Sequence, residues 1–256
     1  RVERIDDATR IPEYVARAFA TAMNGRPGPV VLVLPEDMLH QHVDARPLPR
    51  AQVSQAGLAP TAVRELDALL RAAERPLVIA GGRWSPDGAC ALQAFAEAWQ
   101  LPVGNAFRFQ DVFDNHHALY AGDVGIGINP KLARTIRDCD LLIAIGARLG
   151  EMTTSGYSLL TVPQPSQKLV HIHPCADELH RVYRADLAIC ATADAAAHSL
   201  QDLVPPPAVR WASWAQAVHA DYEANLMPEA LPGLDPTSEG SVDMPAIVAE
   251  LQRQLP

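Results

Sequence analysis

Between Leu58 and Val204 the chain alternates repeatedly between a short unbroken apolar run and an amphipathic stretch, and this rhythm limits the possible folds more than any other feature. The runs are "RPLVIAGG", "LPVGNAF", "CDLLIAIGARL", "QKLVHIHP" and "ADLAICAT". Runs that are apolar at consecutive positions belong to strands covered on both faces, as in a parallel sheet. Val63, Leu66, Leu69, Leu70 and Ala73 make one helical face before the first run. "SPDGACALQAFAEAWQ" follows it as a helix capped at Ser85, and "NPKLARTIRD" offers Asn129 as N-cap with Pro130 at the first helical position. "DELHRVY" and "ADAAAHSLQDL" read as further helices. Strands alternating with helices require right-handed crossovers. The prediction is a three-layer, doubly wound, mostly parallel α/β domain of Rossmann-like type over residues 58–204.

The flanking segments do not share the rhythm. Ile11, Val15, Phe19 and Met23 recur every fourth position in a helix with Pro12 in its first turn. "PVVLVLP" then reads as a strand buried on both faces, which needs neighbours that one helix cannot supply. Either it joins the downstream sheet or its own sheet lies outside the sequence. Residues 39–57 carry no period and read as a linker laid over a surface. Beyond Val204, Trp211 and Trp214 fall in a helical stretch, "PEALPGLDPTSEGS" reads as loop, and "DMPAIVAELQRQLP" is a helix striped by Ile247, Val248, Leu251 and Leu255. The opening on Arg1, with an unpartnered strand near one end and an unpartnered helix at the other, predicts a piece of a longer protein.

Composition excludes several classes of function. The net charge of -9, with both signs interspersed, argues against nucleic acid as a partner. No apolar run approaches the roughly 20 residues that span a bilayer, and no signal-peptide core opens the chain, which points to the cytoplasm. Cys90, Cys139, Cys175 and Cys190 form no C-x-x-C pair and read as reduced core thiols, in keeping with that compartment.

Ligands of open parallel sheets settle outside the carboxyl ends of the strands. Those ends carry Gly81-Gly82-Arg83-Trp84, Asn105 to Asp111, Gly146-Ala147-Arg148 and His171-Ile172-His173. In "GDVGIGINP", Gly122, Gly125 and Gly127 precede a helix, which suits a phosphate contact or a tight turn of positive φ. Arg148 can hold a phosphate or carboxylate through its forked guanidinium, or simply pair with Glu151 at the surface. His171, His173 and Cys175 suggest a soft metal site, but a closed zinc site needs a fourth ligand, and hydrogen-bonded histidines at a strand end satisfy the same spacing. No metal ligand is therefore assigned.

The residues in order resemble a known superfamily. "RIPEYVARAFATAMNGRPGPVVLVLPEDM" is similar to the end of the pyrimidine-binding domain of thiamine diphosphate enzymes of the acetolactate synthase, pyruvate oxidase and benzoylformate decarboxylase kind. "ERPLVIAGG", "LPVGNAF", "DCDLLIAIGARLGE" and "QKLVHIH" resemble successive elements of that superfamily's central domain, and "VDMPAIVAELQRQLP" resembles the lead-in to its pyrophosphate-binding domain. The acetolactate synthase-like subgroup is the nearest.

The resemblance implies residues 1–38 as the end of one domain, 39–57 as linker, 58–204 as the central domain, and 205–256 as linker plus the start of the next. It implies thiamine diphosphate and magnesium in the full-length enzyme. The activating glutamate would lie before Arg1 and the metal motif after Pro256, so no catalytic residue is assigned here and the chain alone should be inactive. It further implies a 2-oxo acid substrate, homo-oligomeric assembly and, in some members, FAD in the central domain. Gly81, Gly82, Gly125, Arg148 and His173 would contact FAD, and Phe107, Arg108, Gln110 and Asp111 would line the cleft. The flavin pattern is incomplete: Arg83 stands for a third glycine, "LGEM" for paired aspartates, "GDVG" for a Met-His-Gly turn and His173 for a ribose-binding acid. The competing readings are a stand-alone module binding FAD or NAD, and a structural domain without a ligand.

Overall fold

The computed structural model describes residues 1–226 and 243–255. The first 40 residues build a small unit. Strand β1 (Val2–Arg4) is followed by helix α1 (Ile11–Met23), strand β2 (Val31–Val33) and the short helix α2 (Glu36–Leu39). Strands β1 and β2 pair in parallel as a two-stranded sheet, so "PVVLVLP" neither joins the downstream sheet nor is buried on both faces: Val31 and Val33 are exposed. A minimal core of Ile5, Ala8 and Met38, with Ile11, Tyr14 and Leu32 packed on it, holds this unit together. Of the predicted α1 stripe, Ile11 faces that core whereas Val15 and Phe19 are exposed.

The large unit follows the predicted rhythm. Its elements are α3 (Pro60–Ala72), β3 (Pro76–Ala80), α4 (Pro86–Trp99), β4 (Val103–Ala106), β5 (Tyr120–Val124), α5 (Pro130–Asp138), β6 (Leu141–Ile145), β7 (Lys168–His173), β8 (Leu187–Cys190), α6 (Ala193–Gln201) and α7 (Ala212–Leu226); α8 (Met244–Gln254) closes the described chain. The predicted caps form: the Ser85 hydroxyl accepts the Gly88 N–H at 3.0 Å, and the Asn129 side chain accepts the Lys131 N–H at 2.9 Å.

Six strands form one all-parallel sheet in the order β5-β4-β3-β6-β7-β8. Alternate residues of each strand feed opposite cores, which is why the runs are apolar throughout. Val78, Val103, Ile143 and Val170 pack with α3, α4 and α6 on one face, while Leu77, Ile79, Leu142 and Leu169 pack with α5 on the other. At the entry of the central strands the Asp140 carboxylate accepts the N–H groups of Glu74 and Arg75 at 2.7 and 2.9 Å, which aligns β3 with β6.

Four expectations need correcting. "DELHRVY" is not an α-helix: a single 3₁₀ turn (Ala176–Glu178) gives way to turns, with His180 at φ 61° and its Nδ1 accepting the Ala185 N–H. Strand β5 was missed because Gly122 and Asp123 interrupt its apolar run. Cys139 is a buried free thiol, but Cys90 and Cys190 are exposed and Cys175 is half-buried. Helix α7, read as lying beyond the central domain, packs on its sheet: Trp211 is buried against Trp99, Trp214 donates its indole N–H to the Pro76 carbonyl at 3.0 Å, and Val218 joins the second core. The α8 stripe forms on a helix whose Ile247, Val248 and Leu251 are exposed. The predicted loop at 228–241 lies outside the described residues.

Candidate functional site

Strands β3, β4 and β5 proceed outward in one direction, and β6 starts the opposite half from the other side of β3. That reversal makes the carboxyl ends of β3 and β6 the topological switch point, where a crevice opens in sheets of this kind. Gly81 and Gly82 leave β3 there, and Gly146, Ala147 and Arg148 leave β6. Gly82 and Gly146 both have positive φ, 78° and 69°, and pack on each other. Gly81 fits between Ala106 and Ala147 with no room for a side chain. Its carbonyl accepts the Trp84 indole N–H at 2.8 Å, so the turn is sealed by that ring.

Arg148 does not pair with Glu151. Its Nε donates to Glu178 Oε2 at 3.0 Å, and the other Glu178 oxygen accepts from Arg26 and Arg181 at 2.9 and 3.0 Å. The Glu178 side chain is 5% exposed. A cavity of about 50 Å³ is lined by Arg148, Tyr157, His171, Glu178, Arg181 and Tyr183. The Tyr183 hydroxyl is buried there and makes no hydrogen bond to the described residues.

Both strand-end histidines are buried. His171 Nε2 donates to the Ala147 carbonyl at 3.0 Å, and burial pushes its pKa down to about 4. Burial also lowers that of His173, whose Nδ1 accepts the Cys175 N–H at 3.1 Å. Cys175 thus meets His173 through its backbone rather than its sulfur. Among the described residues no cluster of three or more His, Cys, Asp or Glu side chains could hold a metal ion.

The predicted cleft-wall loop follows β4. Its organiser is Asn105, fully buried, whose Nδ2 donates to the carbonyls of Gln110 and Phe113 at 2.9 and 3.2 Å. Gln110 Nε2 reaches across to Asp123 Oδ1 at 2.9 Å, and burial raises the pKa of that carboxyl. Phe107 fills the space a side chain on Gly125 would need, and the Arg108 guanidinium lies 5.1 Å over its ring. Arg108, Gln110 and Asp111 face outward.

The predicted residues therefore fall into two groups. Gly81, Gly82 and Arg148 gather at the switch point, with Glu178 on Arg148 and His173 at the end of the next strand, β7, whereas Gly125 joins Phe107 and Gln110 at the ends of β4 and β5. Sequence reasoning placed Asn105 at a strand end without its role as the loop's organiser, and it missed Glu178 and Tyr183, which nothing local marks.

A family model described as the thiamine pyrophosphate enzyme, central domain, matches residues 63–201, more than half of the chain. Among curated proteins, the acetolactate synthase large subunit of Parasynechococcus marenigrum is 29% identical over 93% of this chain and 39% of its own length. The probable acetolactate synthase large subunit of Methanocaldococcus jannaschii is 32% identical over 74% of this chain and 33% of its own length, and the glyoxylate carboligase of Escherichia coli O157:H7 is 30% identical over 75% and 32%. The chain thus spans about two fifths or less of the relatives it matches. With the central-domain match covering the sheet and both groups of strand-end residues, the chain belongs to the thiamine pyrophosphate enzyme family, through that family's central domain.

Proposed function

We propose that this chain acts within a thiamine diphosphate-dependent, acetolactate synthase-like carboligase or decarboxylase of a 2-oxo acid, as the domain between those that hold the cofactor. The observation that carries this reading is the six-stranded parallel sheet, its switch point flanked by Arg148 and the Asn105-organised loop, lying inside the matched residues 63–201. When bound, thiamine diphosphate supplies the carbanion chemistry, and a protein's part is to bind and orient it and exclude side reactions. In line with the family resemblance, pyrimidine-binding and pyrophosphate-binding domains are assigned as the holders of thiamine diphosphate and its magnesium.

The loop Phe107–Asp111 is assigned as one wall of the cleft. Its backbone is fixed by Asn105, which leaves the exposed side chains of Arg108 and Asp111, and of Gln110 on its bond to Asp123, facing substrate or a neighbouring domain. The reading includes a homo-oligomeric full-length enzyme working in the cytoplasm, and no described helix is long and apolar enough to cross a membrane.

The test is a comparison of this 256-residue chain with the protein from the uninterrupted reading frame that encodes it. Each is assayed for carbon dioxide release and carboligation with pyruvate and glyoxylate, with and without thiamine diphosphate and magnesium. The longer protein should turn over a 2-oxo acid only when supplied with both, and the chain alone should not. Turnover by the isolated chain, or cofactor-independent turnover by the longer protein, would refute the proposal.

A further inference from the structure

Glu178 is the point at which three remote parts of the chain meet. Arg26 comes from the loop after α1, Arg148 from the end of β6, and Arg181 from the turn after β7. The carboxylate is almost wholly buried, while each arginine remains about half exposed. Burying a carboxylate costs free energy unless partners replace its lost hydration, and three guanidinium groups do so here. The same contact brings the loop at 24–28 down onto the turn after β7, where a side chain on Gly25 would meet the Pro174 carbonyl at 3.5 Å. Asn24 extends the contact by accepting the Ser54 N–H at 2.7 Å, which holds the linker alongside.

The crevice under this loop is a poor fit for FAD. A site that encloses a small organic ligand occupies roughly 300–1,000 Å³, against about 50 Å³ beside Arg148. Gly82 and Gly146 spend their missing side chains on each other, and Gly125 gives its space to Phe107. His173, at the end of β7, is buried and hydrogen-bonded to the Cys175 backbone.

We propose that Glu178 is a resident counter-anion, a positioning residue that occupies Arg148 in place of a nucleotide's phosphate or ribose partner and straps residues 24–28 across the switch point. The strap makes the crevice a joint between the N-terminal unit and the central sheet rather than a dinucleotide site. This inference stands apart from the reaction proposed above, because the strap can hold whichever substrate the enzyme takes.

Hydrogen exchange resolved by mass spectrometry tests it on the full chain, alongside thermal melting with FAD and with ADP as probes. In Glu178→Gln the amides of residues 24–28 and 53–56 should exchange roughly tenfold faster, the loss of one charge-assisted bond, while β6 and β7 stay as protected as in the wild type. Glu178→Asp should recover part of that protection. Arg26→Gln, a change at a half-exposed side chain, should release the same loop without disturbing the sheet, and it carries the test if Glu178→Gln does not fold. The wild-type melting temperature should not move with FAD or ADP. Saturable binding of either nucleotide by the wild type would overturn the proposal, as would wild-type exchange at 24–28 in Arg26→Gln.

Discussion

Gly82 and Gly146 stand back to back: a methyl on Gly82 would lie 2.6 Å from the Gly146 carbonyl oxygen, and one on Gly146 would press on the carbonyl of Gly81. The register explains the contact. Ala80 pairs with Ile145, so both turns leave the sheet at the same level and must pass each other. Gly82→Ala and Gly146→Ala should each cost about 2–5 kcal/mol, combining a left-handed backbone penalty of about 1–2 with overpacking of about 1–3. Urea denaturation measures this, and an alanine variant as stable as wild type would show that the turns do not bear on each other.

His171 makes stability depend on pH in a defined window. Burial holds its pKa near 4 in the fold, against 6.5 when exposed. In the unfolded chain it takes up a proton as pH falls through 6.5, while the folded chain resists until about 4, so U binds more protons than N between these values. Stability from this group is complete above that window and falls by up to about 3 kcal/mol across it. His173 shifts in the same direction. His171→Gln should flatten the pH profile of the urea midpoint, and an unchanged slope would contradict the assignment.

The chain's rhythm made the sheet legible because each strand serves two cores at once: Leu77 and Val78, adjacent in sequence, are fully buried on opposite faces. Edge elements were harder to read. Tyr120–Val124 carries Gly122 at φ 116° and a half-exposed Asp123, and no local pattern separates it from loop. Arg148 was legible as a site residue because it follows an apolar strand directly. Its partner was not, since Glu178 is 30 residues away from Arg148 and 152 from Arg26. A local sequence window carries no trace of a charge cluster closed over that distance.

Asn105 should prove to be the support of the cleft-wall loop. Asn105→Ala removes both bonds to the carbonyls of Gln110 and Phe113, each worth about 0.5–1.5 kcal/mol. Hydrogen exchange over residues 107–113 should rise while β3 and β6 remain protected. Uniform exchange across variant and wild type would mean that the loop is held by other means.

Trp211 ties α7 to the sheet. Its ring stacks on Trp99 at a centroid distance of 6.4 Å, 4° from parallel, and its indole N–H donates to the Trp99 carbonyl at 2.9 Å. Trp211→Ala should cost about 3–5 kcal/mol. A chain ending at Leu226 should melt cooperatively, whereas one ending at Val204 should expose the Trp99 surface, lose stability and bind hydrophobic dyes. Equal melting of the two would place α7 outside the cooperative unit.

The central seam of the sheet has a kinetic consequence. Leu141 of β6 pairs with Pro76 of β3 across 65 residues, whereas β4 lies 25 residues from its partner on β3 (Val78 with Val103) and β7 lies 27 from its partner on β6 (Leu141 with Lys168). Closing the longer span costs more chain entropy, so each half is expected to pair within itself before the seam joins them. Until β6 arrives, the flank of β3 that it covers is an open sheet edge.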